Sequence, residues 1–142
     1  MNPLLEAKEG VHLAINFTAR DPRFVDVWKF TVENKHRKHI ICTSSRSTST
    51  LLLELLVKDF HRDKVIESDS SSFARHLKGF EQGEIDVLIV NYHVAMLGWA
   101  TNREDACISC THELPEAHAI QLAYRARHPT ATCFIFCHES KP

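Results

Sequence analysis

The stretch EIDVLIVNYHVAMLGWAT, residues 84–101, decides the fold. Its first half, IDVLIVN, is a continuous apolar and β-branched run with no polar alternation, the pattern of a strand covered on both faces. Such strands belong to parallel sheets, whose crossover connections lay helices over the two faces. The second half turns polar at once: Asn91, Tyr92 and His93 stand at the strand's carboxyl end, and Gly98 and Trp99 follow a few residues later. In open α/β sheets, ligands meet that end of the strands and the loops beyond it.

Outward from this strand the same alternation recurs. VHLAINFTA, residues 11–19, has period two, with Val11, Leu13, Ile15 and Phe17 on one face. Asp21-Pro22 is expected to N-cap and open a helix over RFVDVWKFTVENK, with Phe24, Val27, Trp28 and Thr31 on one side. RKHIICTS reads as a compact buried strand, and SRSTSTLLLELLVKDF as a helix turning Leu52, Leu55 and Leu56 inward. DKVIES is a short strand; Ser70 to Ser72 are expected to cap FARHLKGFEQG, where Phe73, Leu77 and Phe80 keep helical spacing. DACISCT and ATCFIFC are two more strands, with a proline-opened helix, PEAHAIQLAYRARH, between them. The expected fold class is α/β, with helices on both faces of a mostly parallel central sheet. One domain spans residues 1–142, with residues 1–10 as a flexible N-terminal arm.

Composition sets limits on function. The 17 basic and 18 acidic side chains leave a net charge of −1, which argues against a large basic footprint for nucleic acid. Ten histidines make that charge sensitive to pH between about 6 and 7. No apolar run approaches the ~20 residues that cross a bilayer, and MNPLLEAKEG lacks the form of a signal peptide. With five cysteines, an odd number at low density, the expected setting is a reducing cytoplasm with no membrane partner.

Two clusters carry candidate chemistry. TSSRSTST, residues 43–50, sets hydroxyls and one arginine at a helix start, where backbone N–H groups and the helix dipole suit a phosphate; the same residues also read as an N-cap with surface hydroxyls. Gln121 and Arg125 are four apart and share a face of the penultimate helix, whereas Arg127 points elsewhere. An arginine projecting from a helix end can stabilise phosphate charge, and a solvated face is the plainer reading. Cys107-x-x-Cys110-x-His112 and Cys133-x-x-x-Cys137-His138 offer zinc-type donors. Residues three apart in a strand face opposite sides, however, and buried cysteines commonly act as small hydrophobes, so no metal is expected. Nor does the Cys-x-x-Cys open a helix, as a thiol redox pair would. No GxxxxGK[ST] loop occurs in these residues, and no strand ends in an Asp-Glu pair able to hold Mg²⁺.

In this order the motifs resemble the second, C-terminal RecA-like domain of superfamily 2 helicases, over roughly residues 11–139. The segment around HIICTSSRS is similar to motif IV, commonly "vIIFxnSr": Ile40, Ile41, Ser45 and Arg46 match, and Cys42 replaces the aromatic. FARHLKGFEQGEIDVLIVN resembles "lxxFxxGexdvLvxT" through Phe80, Gly83, Asp86, Val87 and Leu88. Residues 84–101 then fall on motif V, which in the restriction and phage repair branch often runs "vNxgvlxxGxDxP"; Asn91, Val94, Gly98 and Trp99 fit. Motif VI, "QxxGRxxR", is met by Gln121 and Arg125. Three departures stand beside these matches. Ala100 replaces the motif V acid, Tyr124 the motif VI glycine and His128 its second arginine.

The resemblance implies a three-layer RecA-like domain, cytoplasmic and phage or bacterial in source, the host cytoplasm serving for a phage-encoded chain. It implies nucleic-acid-binding positions at Ser44, Ser45, Arg46, Asn91, Tyr92, His93 and Gly98, holding phosphates of one strand, single or duplex. Tyr92, His93 or Trp99 could also stack on a base, Trp99 reading equally well as core. Arg125, with Gln121, would act as an arginine finger on ATP only with a P-loop partner, since the motif residues that hold ATP and Mg²⁺ belong to the family's first domain. Three functions follow: a stand-alone domain that binds nucleic-acid backbone without autonomous ATP hydrolysis, one subunit of a split ATP-dependent helicase, or a degenerate module that binds or inhibits a protein partner.

Overall fold

The computed structural model describes residues 21–138; the strand expected over residues 11–19 and the arm over 1–10 lie outside that range. Helix α1 (Phe24–Glu33) leads into β1 (Lys38–Thr43), then α2 (Arg46–Leu56), a single 3₁₀ turn and β2 (Val65–Ser68). Next come α3 (Phe73–Glu81), β3 (Val87–Asn91) and the short α4 (Tyr92–Ala95). The order closes with β4 (Ala106–Cys110), α5 (Glu116–Ala123) and β5 (Thr132–Phe134). The strands form one sheet in the order β2-β3-β1-β4-β5, and every pairing is parallel.

The continuous apolar run of β3 is explained by burial on both faces. Leu88 and Val90 pack with Ile40 and Cys42 of β1, Ile108 of β4, Phe73 and Phe80 of α3 and Leu122 of α5. Val87 and Ile89 pack on the other side with Ile41 of β1, Phe24 and Val27 of α1 and Leu52, Leu55 and Leu56 of α2. Three layers result. Each such side chain, fully buried, contributes about 1.5–3 kcal/mol, so alternate residues of one strand hold two helical layers at once.

Four local expectations are corrected. Asp21 does not cap α1; the cap position is Arg23, without a side-chain bond, because the Asp21 carboxyl is spent elsewhere. Ser72 occupies the cap position of α3 without capping it by its side chain. Asp69 fixes this turn instead, its Oδ1 accepting from the backbone N–H groups of Ser71 and Ser72, at 3.1 and 2.9 Å, and from both hydroxyls. The ATCFIFC strand shrinks to Thr132–Phe134, because it lies at the sheet edge with only β4 to pair with. Finally, α5 stops at Ala123, so Gln121 and Arg125 do not share a helical face. Gly83 carries the one positive φ, 80°, among the described residues. It ends α3 and aims the chain into β3, which accounts for glycine at that position of the motif.

His39 is the buried titratable group of the sheet. Its Nε2–H donates to the Asn34 carbonyl at 2.8 Å, Phe30 and Phe60 approach it edge-on, and Nδ1 has no partner among the described residues. Burial pushes its pKa down to about 4. An unfolded histidine titrates near 6.5, so below that pH the unfolded chain takes up a proton that the native chain refuses. Stability is therefore full above about pH 6.5 and falls as pH drops towards 4, by about 3 kcal/mol from this residue. Urea midpoints at pH 7 and 4.5 should converge in His39→Gln relative to wild type; parallel losses in both would contradict the assignment.

Candidate nucleic-acid interface

The register places four strand ends at one level. Thr43 pairs with Asn91, Cys42 with Cys110 and Ser68 with Val90, so the segments after β1, β2, β3 and β4 leave the sheet along one edge. Between them lies a cleft of about 360 Å³. Arg46 and Ser49 of α2 line one side, the Glu67–Ser70 segment another, and Asn91 and Val94 a third.

The residues entering the cleft are set by short-range bonds. Ser45 caps α2, its Oγ accepting from the Thr48 N–H at 3.2 Å, which leaves Arg46 exposed in the first turn. Asn91 caps α4 in the same manner, Oδ1 accepting from the His93 N–H at 2.9 Å, so its Nδ2 remains to serve the cleft. Ser44 differs from its neighbour. Its hydroxyl donates to the carboxyl of buried Asp21, which also accepts from the Thr111 hydroxyl and, at 3.4 Å, from the Ser44 N–H. Ser44 thus belongs to a clamp under the loop. Arg23, beside this clamp, donates its N–H to the Thr111 carbonyl at 3.0 Å and pairs with Glu113 at 2.8 Å.

The charge of the cleft is mixed. Arg46 is its one lining cation, opposed by Glu67 and Asp69. Hydrogen bonds from the Ser71 and Ser72 side chains, then the Ser72 N–H, hold Asp69 down at about 2, so it is ionised at every working pH. The 68–72 turn is the part of the cleft that sequence reading treated only as a helix cap. Its signal was a Ser-Asp-Ser-Ser-Ser run directly after a strand, at the edge where ligands bind. Ser68 meets His76 Nδ1 at 2.8 Å and Ser72 Oγ at 3.2 Å, which ties the turn to α3.

The motif V loop is fastened from below. Trp99 is half-buried against Phe73, edge-on at 5.5 Å, and its indole N–H donates to the Ala95 carbonyl at 2.6 Å. That contact puts Trp99 in the core cluster rather than on a base-stacking face. A Cβ at Gly98 would meet nothing within 4 Å, so no residue near it demands glycine there. Arg125 turns inward, donating to the Met96 carbonyl at 3.0 Å and the Trp99 carbonyl at 3.4 Å. The backbone repeats the link: Thr101 N–H donates to the Arg125 carbonyl and Arg127 N–H to the Thr101 carbonyl, at 2.8 and 2.9 Å. The two motif segments are therefore zipped together. Gln121 is exposed on α5, between exposed Ile120 and Tyr124 and away from that zip. On β4, Cys110 packs in the α3 and α5 layer while Cys107 receives the Arg37 Nε–H at 3.1 Å, so the two thiols diverge.

No protein-family model matches the chain, and no curated protein does. Solved structures match it in fold. The crystal structure of the DUF1998 helicase MrfA bound to DNA aligns with 83% of this chain and 18% of its own, at 18% identity and a TM-score of 0.61. The C-terminal domain of the DEAD-box protein Dbp5 aligns with 82% of this chain and 72% of its own, at 16% identity and 0.59. T4 UvsW aligns with 94% and 29%, at 14% identity and 0.62. The chain thus spans under a third of MrfA and UvsW and most of the Dbp5 domain. At such identities the likeness shows the fold alone: a RecA-like α/β domain, similar to the C-terminal domain of Dbp5.

Asp21→Ala should lower unfolding stability by about 2–4 kcal/mol, because it removes the buried acceptor of the Ser44 hydroxyl and leaves the Thr111 hydroxyl only a longer bond, 3.4 Å, to the Cys42 carbonyl. Asp21→Asn, which keeps one acceptor oxygen, should lose less. Denaturant titration of both variants checks the order, and equal losses would show that the carboxyl bonds are not what matters.

Proposed function

We propose that this chain is a helicase C-terminal-like domain that holds a nucleic-acid backbone at the carboxyl edge of β1 and β3 and does not hydrolyse ATP alone. The observation that supports this best is the meeting of Arg46 and Asn91, from paired strand ends, around one cleft. The first backbone N–H groups of α2 lie beside Arg46, and helix geometry leaves such groups open to a phosphate. MrfA, similar in fold, is a DNA-bound helicase. Such contacts fix a strand's position and carry no sequence information. With one cation against two carboxylates, binding is weak and falls with salt.

For ATP, the sequence has no P-loop, and Arg125 is engaged by the Met96 and Trp99 carbonyls. A finger role would require Arg125 to leave those carbonyls for a nucleotide carried, with Mg²⁺, by a P-loop partner. One observation favours a second reading, a protein partner at the end of α5: Ile120 and the capping residue Tyr124, whose N–H donates to the Ile120 carbonyl at 3.0 Å, both expose large apolar side chains.

Fluorescence anisotropy with a labelled single-stranded 20-mer at low salt tests the first reading. Arg46→Ala should weaken binding and reduce the slope of log K against log salt by about 0.7, one phosphate contact. Glu67→Gln should strengthen binding at low salt, the gain fading as salt rises. Absence of binding at high micromolar protein, or an Arg46→Ala variant with an unchanged slope, would overturn it. The split-enzyme reading expects ATPase activity only with a P-loop partner, abolished by Arg125→Ala; activity surviving that substitution contradicts it.

A further inference from the structure

Beside Asn91 the sheet edge carries a second feature outside the cleft: Tyr92 and His93, already named by the motif, are joined there by two imidazoles that no motif includes, His112 and His118. The Tyr92 hydroxyl lies 2.7 Å from His118 Nδ1, on α5. His112, in the segment after β4, meets the Tyr92 ring edge-on at 5.1 Å, and His93 tilts against it at 5.9 Å. His112 closes the inner side, its Nδ1 3.4 Å from the Cys110 sulfur. His93 and His118 are both exposed.

We propose that His93, packed on the Tyr92 ring, and His118, bonded to the Tyr92 hydroxyl, form a second phosphate-binding subsite that becomes effective when the two imidazoles are protonated. The inference rests on the nucleic-acid reading above and extends the backbone path from Asn91 across α4 to α5. A neutral His118 accepts the Tyr92 O–H at Nδ1, which leaves the phenol no hydrogen to offer. A protonated His118 donates from Nδ1 to the phenol oxygen instead, and the hydroxyl can then turn its hydrogen to a phosphate oxygen. Protonation thus adds two cations and one donor around Tyr92, and imidazole is the side chain that changes charge between pH 5 and 8.

The groups around the two imidazoles bring little charge of their own. Burial pushes the Tyr92 phenol up, with Cys110 and Cys42 beneath it adding to the shift, so it stays a hydroxyl. Burial likewise pushes His112 down, opposed by Asp21 and helped by His93, which favours its neutral form. The Cys110 thiol is pushed up to about 12 and that of Cys42 is raised as well, so neither brings a competing charge. Glu113 is paired with Arg23, and Glu116, in the first turn of α5, is the remaining acid near His118. No arginine or lysine belongs to the group; Arg125 points inward. The charge of the subsite is therefore that of His93 and His118 alone.

The test is anisotropy with a labelled oligothymidylate 20-mer at pH 8 and pH 6, over a salt series. Wild type should bind about 5–10-fold tighter at pH 6 at low salt, with a salt slope steeper by roughly 1 to 1.5, the value for two added single-strand contacts. A His93→Asn/His118→Asn variant should bind equally at both pH values. His118→Lys, permanently cationic, should bind at pH 8 more tightly than wild type, a gain that misfolding cannot produce. A pH response that survives in the double variant, or no gain from His118→Lys, would overturn the subsite and leave the Arg46 cleft standing. Absence of binding at either pH would overturn both.

Discussion

Everything at the functional edge depends on one buried carboxyl group. Asp21 sits in the segment before α1 and accepts hydrogen bonds from Ser44 at the end of β1 and Thr111 at the end of β4. A buried acceptor of this kind is tolerable only when it is satisfied, and here its partners lie just past two paired strand ends that the Thr111 N–H to Cys42 carbonyl bond, at 2.9 Å, already joins. The clamp fixes where the chain leaves β1, which fixes Ser45 as the cap of α2, which in turn presents Arg46 to the cleft. Position passes from a buried acid to an exposed base through three consecutive residues.

A similar economy governs the other side of the cleft. Trp99 and Arg125 hold the loop after β3 to the core and to the segment after α5, through the Ala95, Met96 and Trp99 carbonyls. In the resembled family these two segments link nucleic acid to nucleotide. Here the link is made in the folded chain itself, while Ala100 stands in place of the expected acid. The result is a rigid edge with few charges: one arginine and an asparagine amide in the cleft, two carboxylates opposing them, and imidazoles alongside. A net charge of −1 is consistent with a surface whose affinity is set locally and tuned by salt and pH rather than by a broad field.

How much of this could be read from the sequence depends on how local the determining interactions are. The double burial of β3 was legible because it writes itself as an unbroken apolar run, and the inward leucines of α2 because they keep helical spacing. Asp21 was misread for a definite reason. Asp-Pro before a helix is the usual sign of a cap, and its partners Ser44 and Thr111 are 23 and 90 residues away, which no pattern within a window reveals. The end of α5 was placed too late because RARH has ordinary helical propensity, and only the bridge between Thr101 and Ala126 pulls that segment into another path. Of the positions named through motif order, Arg46 and Asn91 line one cleft, Ser45 caps the helix that carries Arg46, and the Ser44 hydroxyl is bonded to Asp21. Of the histidines around Tyr92, His93 was named beside it through the motif, whereas His112 and His118 come from two other segments and left no trace in spacing.

The central claim is that a nucleic-acid backbone lies along the carboxyl edge of β1 and β3. The most direct measurement is a ¹H–¹⁵N correlation spectrum of the labelled protein, titrated with a single-stranded oligonucleotide at low salt. The account predicts shifts concentrated in residues 45–49, 68–70 and 91–97, diminished in Arg46→Ala and reversed by added salt. Shifts confined to β5 and the outer face of α1, or none at saturating oligonucleotide, would contradict it.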